Sequence, residues 1–208
     1  MNIALFGATG GTGKPFLEQA LAAGHSIKAQ ARTPSKLNVT HPNLHVIQGD
    51  VLDADSVRNV VEGTDAVVSA LGVNKLGKNT ILSDGTKVIL EAMRRYGVTR
   101  SVWVTSLGVG DSQAPSKVFA LLFQNLVLRN VFKDKEQQET YIMASKGDWT
   151  IVRPSGLTND AKTGEYKVNF DPDKESLSGR IPRADVADFM LKILEQNSHL
   201  RQAVSLSK

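Results

Sequence analysis

The feature that most constrains this chain is a cluster of glycines placed directly after an apolar run. Asn2-Ile3-Ala4-Leu5-Phe6 reads as a short buried strand, and it runs straight into Gly7-Ala8-Thr9-Gly10-Gly11-Thr12-Gly13. A helical pattern follows from Pro15 to Ala23. Strand, glycine turn and helix in that order give each glycine a physical task. Gly7 lets the chain turn sharply off the strand, Gly10 leaves bare backbone for a diphosphate, and Gly13 lets the helix pack close to the sheet. Amides at the helix start, Thr9, Gly11 and Thr12 among the turn residues, then face an anion that the helix dipole favours. The spacing G-x-x-G-x-x-G departs from the commoner G-x-G-x-x-G, so the context carries the argument. The competing reading is a glycine-rich turn with no ligand.

Apolar runs and amphipathic runs alternate along the rest of the chain. Strands are expected at Ser26–Ala31, Leu44–Gln48, Ala66–Ala70, Ser101–Thr105 and Thr150–Val152, with a last edge strand at Ala203–Leu206. Helices are expected at Asp53–Val61, Leu82–Tyr96, Val118–Leu128, Lys133–Ala144 and Arg183–Gln196. This alternation predicts an α/β fold, a Rossmann-like doubly wound parallel sheet with helices on both faces and ligand at the strand C-termini. Residues 1–208 read as one NAD(P)-binding domain, with a loop-rich excursion at about 156–182.

Composition narrows the chemistry. Cysteine is absent, which removes disulfides, thiol catalysis and cysteine metal sites. His25, His41, His45 and His199 have no metal-ligand spacing and are expected in solvated turns or strand edges, so no metal is expected. The net charge of +4 comes from scattered Lys and Arg rather than a basic run interleaved with aromatics, so nucleic acid is not expected as a partner. Val118–Leu128 is too short to span a membrane and carries Gln124 and Asn125. Met1 leads directly into the first strand, so no leader peptide and a cytoplasmic location are expected.

The end of the second strand bears on which dinucleotide fits. An acidic residue there holds the ribose 2′-hydroxyl in NAD-preferring folds. This chain has Gln30-Ala31-Arg32-Thr33-Pro34-Ser35-Lys36, with no carboxylate. Arg32 and Lys36 stand where a 2′-phosphate would lie, with Ser35 as a hydrogen-bond donor, unless they are merely solvated loop residues. NADP(H) is therefore the expected cofactor. Gly49-Asp50-Val51 follows the third strand. Asp50 either accepts from the adenine amino group, with Val51 offering its backbone to the ring, or forms an Asp turn that starts a helix. Leu71 and Gly72 close the fourth strand, where a glycine lets backbone approach ribose or diphosphate.

Taken together, Gly7–Gly13, Arg32, Gly49-Asp50-Val51, Leu71-Gly72, Thr105-Ser106 and Trp149-Thr150-Ile151-Val152-Arg153-Pro154 resemble the atypical short-chain dehydrogenase/reductases. Ser83-Asp84-Gly85-Thr86 and Gly164-Glu165-Tyr166 extend the likeness over nearly the whole chain. It is most similar to the biliverdin reductase B / flavin reductase branch, with NmrA-like proteins nearby. The resemblance implies a monomer that binds NADPH and passes hydride to flavins and to biliverdin-type tetrapyrroles, a small aromatic acceptor in either case. It places Thr105 and Ser106 beside the nicotinamide, Lys135 on a helix facing the pocket, and Pro154, Ser155, Gly156 and Leu157 along the nicotinamide border. Ser106 also reads as a strand-end cap, and Lys135 as an ordinary surface lysine. The animal pattern has a histidine near Gly156 that this chain lacks.

The broader superfamily uses a Tyr-x-x-x-Lys pair as acid and pKa modifier. Tyr141 and Lys146 are spaced one residue too far, which swings them apart on a helix. Tyr141 reads as structural. A flavin asks less: N5 takes hydride directly and solvent can protonate the reduced ring, so stacking at short range suffices. Ser106 and Lys135 would orient the cofactor amide or the acceptor. Phe119, Leu122 and Phe123 wall a loose apolar pocket or face the core. The alternatives are a non-catalytic NmrA-like NADP(H) sensor, a reductase or epimerase acting on a sugar nucleotide or carbonyl, which lacks its Tyr–Lys pair here, and an assembly or scaffold protein.

Overall fold

The alternating runs form strands and helices in the computed structural model, which describes residues 1–73, 80–109, 126–169 and 180–208. Ten strands run in chain order: β1 Asn2–Phe6, β2 Ser26–Ala31, β3 Leu44–Gln48, β4 Ala66–Ser69, β5 Arg100–Val104, β6 Asp148–Pro154, β7 Gly156–Thr158, β8 Lys167–Val168, β9 Arg180–Pro182 and β10 Gln202–Ser207. The helices are α1 Gly13–Ala22, α2 Ala54–Val61, α3 Ile81–Tyr96, α4 Leu126–Ala144 and α5 Arg183–Glu195.

β1 has no polar residue after Asn2, and Ile3, Ala4, Leu5 and Phe6 are fully buried. A strand with two apolar faces needs a helix layer on each. Ile3 and Leu5 pack with Phe16 and Leu17 of α1 and Val186 and Met190 of α5. Ala4 and Phe6 pack on the other side with Val57 of α2, Ile89 of α3 and Ile142 of α4. The main sheet has the order β3-β2-β1-β4-β5-β6-β10-β8. Every pairing is parallel except β10 with β8. Strand order reverses between β1 and β4, which opens a crevice at their C-terminal ends. This is the doubly wound parallel fold that the alternation predicts.

Two expectations need correction. The last strand is not an edge: β10 pairs with β6 on one side and, through Leu206 with Val168 and Ser207 with Lys167, with β8 on the other. A two-residue strand is too short to leave a period in the sequence. Among the described residues of the excursion at 156–182, β7 and β9 pair as a small parallel sheet of their own. The second concerns α4, one continuous helix that already includes Leu126 and runs to Ala144, where separate helices ending at Leu128 and starting at Lys133 are expected. Residues 118–125 of the expected helix at Val118–Leu128 lie outside the described residues. Among the described residues no helix is long and apolar enough to cross a membrane.

Two polar devices fix the helices. Asp53 caps α2, accepting from the Asp55 amide at 3.0 Å. α3 has no such local cap. Its Leu82 and Ser83 amides donate instead to the two carboxylate oxygens of Asp134 on α4, each at 3.0 Å. Asp134 is 5% exposed, so the pair of helices shares one buried charge and the free amides of a helix start. Removing the carboxylate strands those buried donors. Asp134→Ala should lower stability by about 1–3 kcal/mol, the cost of unsatisfied buried groups, and Asp134→Asn by less. Urea unfolding midpoints check the order.

Candidate functional site

The glycine turn is built by close approach of backbone to backbone. Gly7 has φ +83°, and a Cβ there would lie 2.5 Å from the Ala70 carbonyl oxygen at the end of β4. A Cβ on Gly13 would lie 2.1 Å from the Gly7 carbonyl oxygen, so α1 can begin where it does only with a bare residue at 13. The Gly10 amide closes the turn on the Gly7 carbonyl at 2.9 Å, and Lys14 donates to Gly10 at 3.0 Å. The amides of Gly11, Thr12 and Gly13 donate to no group among the described residues. Thr12 supplies no side-chain cap. A helix start with unspent amides and no side-chain bulk fits the diphosphate of a dinucleotide.

The neighbouring strand ends bring the other expected residues to the same sheet edge. Arg32, Ser35 and Lys36 follow β2 and are exposed, with Ser35 and Lys36 in a single turn of 3₁₀ helix, Pro34–Lys36. Arg32 has no hydrogen-bond or ion-pair partner among the described residues. Asp50 follows β3, and its Oδ1 accepts from the Leu52 amide at 3.0 Å, so the turn reading holds for that oxygen. Val51 is buried against Gly85 of α3, leaving only its backbone to face outward chemistry. Leu71 is half-buried, and Gly72 is exposed with open space where a Cβ would point.

Beyond β5 the site is polar and buried. Thr105 Oγ1 donates to Glu139 Oε1 at 2.6 Å, and Arg153 of β6 pairs with the same carboxylate through Nε at 3.1 Å and Nη2 at 2.6 Å. Glu139 is 1% and Arg153 4% exposed. This ion pair ties the ends of β5 and β6 to α4. One turn earlier on the helix, Lys135 Nζ donates to the Thr105 carbonyl at 2.8 Å. Lys135 is therefore not an ordinary surface lysine. Desolvation brings its pKa down to about 8 although Glu139 works in the opposite direction. Ser106 is half-buried, with its hydroxyl donating to the Leu107 carbonyl at 3.1 Å, which is a strand-end contact. Pro154 accepts from the Leu107 amide and Ser155 donates to Leu206, so both are spent on joining strands. Gly156 and Leu157 continue into β7.

Other expectations fall elsewhere. Tyr141 stacks beneath Lys87 Nζ, 4.7 Å from its ring centroid, in a groove of about 750 Å³ that also includes Thr99, Lys146 and Gly147. That groove opens at the N-terminal end of β5, away from the glycine turn. Phe119, Leu122 and Phe123 lie outside the described residues. The expectation of solvated histidines needs correction for His25, whose side chain is 12% exposed and bonds Glu195 at 3.0 Å. His199 packs edge-on against Phe189 at 5.5 Å. No cluster of metal-ligating side chains exists among the described residues. Sequence reasoning missed Glu139 altogether. The signal was Arg153, a charge inside an apolar strand that demands a buried partner.

Residues 7–197 match the model of a family described as NAD(P)H-binding. An uncharacterised chloroplastic protein of Arabidopsis thaliana is 31% identical over 214 residues, covering 96% of this chain and 74% of that one. A 3β-hydroxysteroid dehydrogenase/Δ5→4-isomerase of Mycobacterium tuberculosis is 26% identical over 195 residues; the match takes in 82% of this chain but half, 50%, of the enzyme. Among solved structures, ChuY, an anaerobilin reductase of Escherichia coli, superposes with a TM-score of 0.82 at 26% identity, covering 99% of this chain and 96% of that one.

A lysine held at a depressed pKa leaves a stability signature. The folded chain releases the Lys135 proton near pH 8, whereas an unfolded lysine keeps it to about 10.4. The unfolded state binds more protons across that window, so the lysine's cost to stability is full below pH 8 and fades as pH rises. Lys135→Met should therefore be more stable than the parent at pH 7, with the gap closing by pH 10. Paired urea titrations at the two pH values test this.

Proposed function

The chain belongs to the NAD(P)H-binding family, and from that premise we propose that it is an NADPH-dependent reductase of the biliverdin reductase B / flavin reductase branch. Its acceptor is a flat conjugated molecule, a flavin or a linear tetrapyrrole. One observation carries this reading. At the sheet edge where the glycine turn lies, the described residues offer cations and backbone but no Tyr–Lys acid pair, and Tyr141 sits at the far end of its helix. A ketone or alcohol needs a placed acid or base. A flavin or a conjugated tetrapyrrole spreads the incoming charge over its own ring system. That ChuY is an anaerobilin reductase supports the tetrapyrrole side of this reading.

Reduced nicotinamide, when bound, supplies the hydride. The chain supplies position and charge. Glycine-turn amides hold the diphosphate, and Arg32 with Ser35 and Lys36 selects the 2′-phosphate. The Glu139–Arg153–Thr105 assembly fixes the end of β5, where Thr105 and Ser106 orient the carboxamide. Lys135 Nζ, anchored on the Thr105 carbonyl, orients the acceptor at that strand end, and solvent protonates the reduced ring.

Steady-state oxidation of NADPH with FMN, and separately with biliverdin, tests the activity. Turnover above the uncatalysed rate with either acceptor is expected. Tight NADPH binding without turnover of flavins, tetrapyrroles or quinones would replace this reading with that of a cofactor sensor. For cofactor choice, Arg32→Ala should weaken NADPH roughly ten- to a hundredfold, the worth of charge-assisted hydrogen bonds, and leave NADH within about twofold. Equal weakening of both would remove Arg32 from the 2′-phosphate site.

A further inference from the structure

Gly11 raises a question that the turn geometry does not answer. Gly7 is required by its positive φ, and Gly13 by the Gly7 carbonyl. Gly11 has neither constraint. A Cβ built on it would instead lie 2.7 Å from both Cδ and Nε of Arg183, the first residue of α5. The bare position is room for an arginine stem that crosses the turn.

Three sets of contacts fix the start of α5 and the loop beside that arginine. Gln19 of α1 donates to the Ala184 carbonyl at 2.9 Å, which fixes the first turn of α5 against the helix that the glycine turn begins. Asp185 is fully buried and gathers the loop before β8, accepting from the Thr163 and Gly164 amides at 2.8 Å each and from the Thr163 hydroxyl at 2.6 Å. Beyond it, Asp188 binds Lys162 at 3.0 Å and the Tyr166 hydroxyl at 2.9 Å. The segment from Asn159 to Tyr166 is thereby fastened to α5. The Arg183 guanidinium has one partner among the described residues, the neutral Asn159 Oδ1 at 2.7 Å from Nη1. No carboxylate among them neutralises it.

An unneutralised guanidinium beside unspent helix-start amides is half of an anion site. We propose that Arg183 is a diphosphate clamp: Asn159 parks it across Gly11 in the free protein, and it passes to the dinucleotide diphosphate when cofactor binds. The exchange replaces a neutral acceptor with a charged one that takes two parallel bonds from the guanidinium fork. The inference rests on the family's NAD(P)H binding and adds to it the residue that closes over the ligand. It also separates two cationic roles. Arg32 reads the 2′-phosphate, which only NADP(H) has, while Arg183 reads the diphosphate, which both dinucleotides share.

That separation is the test. Dissociation constants for NADPH and for NADH are measured by calorimetry on the parent chain, Arg183→Ala, Arg183→Lys, Asn159→Ala and Arg32→Ala, with thermal midpoints of the ligand-free proteins. Arg183→Ala should weaken both dinucleotides by the same factor, roughly ten- to a hundredfold, with the ligand-free midpoint little changed. Arg183→Lys should restore part of the loss. Asn159→Ala should bind both at least as tightly as the parent. The proposal is overturned if Arg183→Ala binds both within twofold of the parent. It is overturned too if affinity falls only in step with the ligand-free midpoint and lysine restores neither. A parent chain that binds neither dinucleotide would sink the cofactor reading itself, an outcome distinct from a failed clamp.

Discussion

The contact between the Gly7 carbonyl and the start of α1 governs the rest of the structure. Side chains normally keep a strand and the helix after it apart. Here a Cβ at residue 13 would stand 2.1 Å from the Gly7 oxygen, so the helix start is pressed onto the strand end by the absence of side chains. Two consequences follow. The first-turn amides of α1 point past bare backbone rather than into a cap, and Gly7 lies so close under the end of β4 that a Cβ on it would stand 2.5 Å from the Ala70 oxygen. The crevice at the strand-order reversal and the anion-binding helix start are thus one construction. Neither could be kept if one of these glycines gained a methyl group.

The opposite flank of the site is made by different means. α4 turns a polar face to the interior: Asp134, Gln138 and Glu139 are each at most 5% exposed. Asp134 caps α3, Gln138 bonds Thr86 at 3.2 Å, and Glu139 joins Thr105 to Arg153. Buried polar networks of this kind add little net stability, but they fix relative position, because any slip strands a charge. Lys135 shares this helix and pays for its place with a depressed pKa. A lysine that costs the fold stability, held against a strand-end carbonyl where ligand is expected, is kept for position rather than packing.

How far the sequence was legible follows from these two modes. β1, β2 and β3 are delimited residue for residue, each a compact run, with Gly7 after β1, and Asn43 before and Gly49 after β3. The glycine turn was readable because its demands are local, within seven residues of chain. α4 was read only in part, because a helix with a polar buried face leaves a weak apolar period. The role of Glu139 was not readable, as its partners lie 34 and 14 residues away. β8 escaped because two residues make no period. Arg183 escaped because nothing near Ile181-Pro182-Arg183 signals that α5 begins beside a turn more than 150 residues earlier.

Positive charge is gathered by the fold rather than by the sequence. With a net charge of +4 and scattered Lys and Arg, the sequence suggests no focus. The fold supplies one. Arg32 and Lys36 at the end of β2, Arg183 over α1 and Lys135 at the end of β5 all come to the C-terminal edge of the sheet, around the unspent amides. The opposite edge shows what a structural arginine looks like. Arg100 opens β5 and donates to the carbonyls of Ser101, Asp148, Ile193 and Ser198 and to the Thr150 hydroxyl, and burial brings its pKa down to about 10. Its charge is consumed inside the protein. The cations at the ligand edge have neutral partners or none among the described residues, so their field is directed outward into the crevice. A dianionic diphosphate and a ribose phosphate are the anions that such a spacing of charges, one over the helix start and others one strand away, is suited to receive.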